Sequence, residues 1–212
     1  SNPDYDITVT DGNLQVNKRT LHVTATSGNS KVYDGTTIAS VTTDALNTTA
    51  NVKIADDRVN NDALNIEYAE ADFDSKIVST SHIITVSGLT ITGAAAGNYE
   101  LSETSVSTTN NAVITAKDLT VSATGINKTF DGNTTANVQL STDKLGGDDV
   151  SVSFTAANFA DFNTGTWDVA VTGITISGND AGNYTLLNNA TTTNAKINKA
   201  GTTTTLITSA AT

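Results

Sequence analysis

Few side chains in this sequence are able to do chemistry. It holds two histidines, His22 and His82, and no cysteine, so imidazole is available at two points and thiolate at none. His22 lies between Leu21 and Val23, whose apolar side chains share one phase of a strand, and its ring is therefore expected to face solvent. No serine stands in a nucleophile-elbow context, and no glycine-rich phosphate loop occurs. With no nucleophile and base in view, the chain is expected to be no enzyme, with no catalytic and no cofactor-binding residues.

Carboxylates offer a second chemistry. Asp56, Asp57 and Asp62 close around Asn60 and Asn61, Asp72 and Asp74 stand together, and Asp148 adjoins Asp149. Several oxygen donors in a short stretch are what calcium prefers. The spacing matches no EF-hand loop, so calcium is a weak candidate cofactor beside the plainer reading of solvated acidic loops. Lysine precedes aspartate by three residues twice, at Lys31 and Asp34 and at Lys128 and Asp131. The simple account is a turn aspartate accepting backbone N–H bonds beside an ion pair. The alternative is a Lys–Asn isopeptide crosslink, Lys31 to Asn98 and Lys128 to Asn183, with Asp34 or Asp131 assisting. A Gly-Asn-Tyr turn explains those asparagines without it.

The elements that must position these groups read as strands. Threonine makes up about a fifth of the chain, Val and Ile recur, and 37% of residues are hydrophobic, a β-branched bias that favours sheets. Apolar residues alternate with polar ones in Leu119, Val121, Ala123 and in Val150, Val152, Phe154, the period of half-buried strands. No amphipathic helix of useful length appears, so the class is all-β. The net charge of −11 and pI near 4.3 oppose binding to nucleic acid and to anionic membranes. No run approaches the roughly 20 apolar residues of a membrane span.

The sequence repeats itself. Lys31-Val32-Tyr33-Asp34-Gly35 returns as Lys128-Thr129-Phe130-Asp131-Gly132, with the glycines supplying the positive φ of a tight turn. Val86-Ser87-Gly88-Leu89-Thr90-Ile91 returns as Val171-Thr172-Gly173-Ile174-Thr175-Ile176, where the alternation slips by one at Gly88 and Gly173 and a β-bulge is expected. Gly97-Asn98-Tyr99 returns as Gly182-Asn183-Tyr184. Between the first two boxes the first copy carries about a dozen more residues, placed in a polar insertion from Asn47 to Asp62. Paired aromatics at Tyr68 and Phe154, Phe73 and Phe159, and Tyr99 and Tyr184 read as core positions; Trp167, without a partner, reads as partly buried at a strand start. Sequons such as Asn47-Thr48-Thr49 are expected by chance in so Asn- and Thr-rich a chain.

These three boxes, in two copies, resemble the YDG repeat of large bacterial exoproteins, including filamentous-haemagglutinin-like adhesins. Residues 1–18 resemble the closing strands of an MBG repeat, 19–116 and 117–199 the two YDG-like repeats, and 200–212 the start of a following Ig-like module or linker. The resemblance implies tandem small β-domains, sandwich-like or β-grasp-like, arranged end to end and exported to the bacterial cell surface. The role expected of the repeats is a stalk or spacer whose partners are neighbouring repeats of the same chain, acting as a monomer. The rival expectation is a module that binds a host, matrix or glycan ligand through the 47–62 loop of the first repeat.

Overall fold

The computed structural model describes Gly12, residues 15–44 and residues 49–206. The closing strands expected in residues 1–18 fall largely outside these, as do Asn47, Thr48 and the end of the stretch expected to open a further module. The described chain is all-β, with two single-turn 3-10 helices, Ala96–Asn98 and Ala181–Asn183. Two compact units form. Among the described residues, one comprises those up to 29 with 38–44, 49–74 and 81–112, and the other 30–37, 75–80 and 113–206. The units are not contiguous in sequence, because similarity along the chain and density of contact in space are different properties.

In the second unit the largest sheet runs Ala156–Phe159, Gly165–Thr172, Ala190–Asn198 and Lys128–Thr129. Its first two pairings are antiparallel and its last is parallel. Val121–Ile126 pairs antiparallel with Asn137–Thr142, Ser151–Ser153 with Thr175–Ser177, and Lys117–Leu119 runs parallel to Tyr184–Leu186. Alternation brings one face of these strands inward, and Val121, Phe159, Val169, Val171, Ile174 and Ile197 make a common buried core. Burying a side chain of this size contributes about 1.5–3 kcal/mol each. The first-repeat residues 30–37 belong to this unit, where Lys31–Val32 pairs parallel with Ile114 and Thr115.

The first unit repeats the plan. Val23–Ser27 pairs with Val52–Asp56, Asn65–Glu67 with Thr90–Thr92, and Arg19–Leu21 runs parallel to Tyr99–Leu101. Ile84–Ser87 lies between Glu70–Phe73 and Ser105–Ser107. Leu21, Leu64 and Tyr99 close one core cluster.

Three expectations are corrected. Gly88 and Gly173 do not mark bulges within one strand. The strand ends before each glycine, and the next strand, Thr90–Thr92 or Thr175–Ser177, joins a different sheet. The glycine is a corner with φ of +66° and +69°, and a Cβ on Gly88 would stand 2.6 Å from the Ala69 Cβ, so both backbone sign and space call for glycine.

Tyr68 and Phe154 are not core residues but are 43% and 38% exposed. Strands Asn65–Glu67 and Ser151–Ser153 stop just before them, so the alternation that buries Ile66 no longer governs the next apolar side chain. Phe73, Phe159, Tyr99 and Tyr184 are buried as expected.

The stretch from Asn47 to Asp62 is not one polar loop. Val52–Asp56 is a strand with Val52 and Ile54 buried, the counterpart of Asn137–Thr142. The additional residues lie before it and contribute the short strand Val41–Thr42, which runs parallel to Val52–Asp56.

Candidate functional site

The Lys-x-aromatic-Asp-Gly boxes are polar turns built around one ammonium each. Lys31 Nζ donates to the carbonyl and hydroxyl oxygens of Thr36, both at 2.9 Å, and lies 2.9 Å from Asp34 Oδ1. That carboxylate oxygen also accepts the Thr36 N–H and hydroxyl at 2.9 Å, an Asx-type turn. Lys128 Nζ donates to Asp131 at 2.8 Å and to the carbonyls of Asn133 and Thr135. Gly35 and Gly132 have φ of +80° and +78°. Burial raises the pKa of Asp34, but the bonds from Lys31 and from the Thr36 N–H and hydroxyl together outweigh it and the net shift is downward; Lys128 lowers that of Asp131. The turn reading of these aspartates therefore matches the structure. The lysines proposed for a crosslink are held within their own boxes, and Asn183 Oδ1 accepts the Val78 N–H at 3.0 Å.

The aromatic of the first box leads to a second constellation. In the second unit Tyr33, 2% exposed, donates its hydroxyl to Asp148 Oδ2 at 3.0 Å, and Tyr184 donates to the same oxygen at 2.6 Å. The two rings meet edge to face, 5.6 Å apart, a favoured aromatic geometry. Leu145 N–H donates to the Tyr184 oxygen at 2.9 Å. Burial, then the bond to Asp148, pushes the Tyr33 pKa up to about 12 and raises that of Tyr184, because ionising a phenol next to a carboxylate sets like charges together.

The first unit repeats the Tyr184–Asp148 half of this arrangement from matching residues. Tyr99 donates to Asp62 Oδ2 at 2.6 Å and accepts from Val59 N–H at 3.1 Å, and the bond to Asp62 raises its pKa. In Asn98 and Asn183, then, the residue before each of these tyrosines sits at the end of a 3-10 turn.

Asp56, Asp57, Asp62, Asp148 and Asp149, weighed for calcium, each have protein partners of their own. Asp56 is paired with Arg58, whose Nε lies 2.7 Å from Oδ1, and Arg58 holds its pKa down. Asp57 accepts the His22 backbone N–H at 2.9 Å, and Asp143 does the same for Thr120 at 2.8 Å. Asp62 and Asp148 accept tyrosine hydroxyls. Asp149 accepts the backbone and side-chain N–H of Asn179 at 3.1 and 2.8 Å. Among the described residues no group of three or more His, Cys, Asp or Glu is placed to hold a metal ion.

His22 is exposed, as its strand phase predicts, with Nδ1 3.2 Å from Asp57. His82 is 3% exposed, bonded to Asp74 at 2.6 Å and packed edge-on against Phe73. Trp167 is partly buried near the start of Gly165–Thr172 and donates its indole N–H to the Asn163 carbonyl.

Sequence reasoning missed the tyrosine–aspartate pairs. Their signal was present: Arg58-Val59 before Asp62 matches Lys144-Leu145 before Asp148, at nearly the same offset that relates Tyr99 to Tyr184.

A model of the YDG domain matches residues 17–108 and, again, residues 115–195. No curated protein and no solved structure matches the chain.

Proposed function

The chain belongs to the YDG domain family, and from that premise we propose that its two tandem copies are non-catalytic spacer repeats of a large bacterial surface adhesin. On this reading they hold an adhesive region away from the cell and carry out no reaction themselves.

One observation supports the reading above others: what recurs between the copies is framework. The tyrosine–aspartate pair occurs in both units, at 2.6 Å each time. The aspartate that receives a strand-end amide occurs in both, at Asp57 and Asp143. Polar groups conserved between copies and turned toward each other specify a fold that is repeated, and quasi-one-dimensional repeat proteins gain length this way. A threonine-rich, cysteine-free, acidic composition agrees with an exported chain that avoids thiol chemistry.

The test is a replacement in the longer surface protein. Exchanging both copies for two unrelated β-domains of similar size is expected to preserve adhesion, and removing them without replacement to reduce it. Loss of adhesion on exchange, with surface display intact, would show that these copies recognise the target themselves.

A further inference from the structure

The two repeats differ at one sheet edge, and the difference identifies what that edge accepts. Up to Ala39 and Ala136 the chain follows the same course, since each of these residues donates its N–H across to a matching alanine, Ala39 to Ala71 at 2.8 Å and Ala136 to Ala157 at 2.9 Å. Beyond this point the second repeat runs directly into Asn137–Thr142. The first repeat inserts residues 40–50 before Asn51 and Val52–Asp56. Part of that insertion, Val41–Thr42, lies parallel to Val52–Asp56 with Val41 opposite Val52 and Thr42 opposite Lys53. The first unit therefore fills this edge from its own chain.

The second unit does not. Among the described strands, Asn137–Thr142 pairs with Val121–Ile126 alone, and Ser151–Ser153 pairs with Thr175–Ser177 alone. Between these two strands lies a groove of about 680 Å³ lined by Val138, Gln139, Leu140, Ser141, Val152 and Phe154. Val138, Leu140 and Val152 are half-buried on the core, while Phe154 is 38% exposed. An edge strand presents a row of N–H and C=O groups, and strand addition uses those bonds for affinity and flanking pockets for side-chain selection.

We propose that the second unit binds an extended, uncharged peptide segment of a partner polypeptide, added parallel to Asn137–Thr142 in this groove. The first repeat supplies the orientation and the register, which carry over as Val41 opposite Val138 and Thr42 opposite Gln139. It also supplies the chemistry, since Ala39-Ser40-Val41-Thr42-Thr43 bears no charge. A net charge of −11 disfavours acidic segments in particular. This site is independent of the spacer reading and lies in the opposite repeat from residues 47–62.

The probe is a blocked peptide with the sequence of residues 38–43, titrated into the whole chain and followed by amide NMR. Saturable shifts confined to residues 137–142 and 150–154, with about one peptide bound per chain, are expected. The same peptide with proline in place of Thr42 is expected not to bind: in the first repeat Val52 N–H donates to the Ser40 carbonyl, so the parallel ladder takes its return bond from the Thr42 N–H, which proline removes. Grafting residues 40–50 between Ala136 and Asn137 is expected to abolish binding by pairing with the edge of Asn137–Thr142, as Val41–Thr42 pairs with Val52–Asp56. Deleting residues 40–50 from the first repeat is expected to open a second site and raise the stoichiometry to about two. Absence of shifts at millimolar peptide, shifts elsewhere, or equal binding by the proline peptide overturns the proposal; the peptide comparison decides it even where a graft or deletion fails to fold.

Discussion

Tyr184 donates its hydroxyl to Asp148 at 2.6 Å, and the same carboxylate oxygen takes the hydroxyl of Tyr33 at 3.0 Å. All three side chains are at most 8% exposed, so each hydroxyl depends on this acceptor. In the first unit Asp62 receives a tyrosine hydroxyl from Tyr99.

Replacing Asp148 by alanine leaves two buried hydroxyls without their acceptor, at about 1–3 kcal/mol for each unsatisfied group. Asp62→Ala removes the acceptor of Tyr99. The expected order is therefore a larger loss for Asp148→Ala than for Asp62→Ala, measured by urea unfolding. Equal losses would show that Tyr33 gains little from its bond.

The raised pKa of Tyr33 makes stability sensitive to alkali. Its ordinary value is 10 and its folded value about 12. The unfolded chain therefore releases this proton first, so the contribution is complete below pH 10 and is lost as pH rises toward 12. Tyr33→Phe is expected to flatten the decline in that window by up to about 1.4 kcal/mol per pH unit. Urea midpoints from pH 9 to 11, compared between the two proteins, check this; unchanged slopes would contradict it.

Acid acts through Asp56. Arg58 holds its carboxyl below the usual 3.8, so the pair stabilises the fold above that pH, and the contribution disappears as pH falls through the lowered folded value. Asp56→Asn is expected to cost roughly 1 kcal/mol at pH 7 and to lose less than the parent on acidification. Thermal melts at pH 7 and pH 3 separate the two effects.

Glycine substitutions distinguish corners from turns. Gly88→Ala and Gly173→Ala are expected to destabilise by more than the roughly 1–2 kcal/mol of left-handed backbone, since the new Cβ also meets Ala69 or Thr155. Gly97→Ala and Gly182→Ala meet nothing within 4 Å and are expected to be neutral or to stabilise by up to about 1 kcal/mol. Melting temperatures of the four variants give the comparison.

The sequence alone determined the β class, the two tandem copies, the solvent-facing phase of His22 and the turn role of Asp34 and Asp131. All of these rest on local order: alternation fixes which side chains share a face, and an aspartate two residues before a free N–H builds its own turn. The tertiary structure decided where Gly88 and Gly173 send the chain, because a slip in alternation looks the same for a bulge and for a change of sheet. It decided that Tyr68 is exposed while Tyr99 is buried, because strand ends are set by pairing with Thr90–Thr92, far along the chain. It also decided what the acidic residues do. Asp148 and Tyr33 are 115 residues apart, and a carboxylate's partner over that distance is fixed by how the sheets pack, which no spacing in the sequence records.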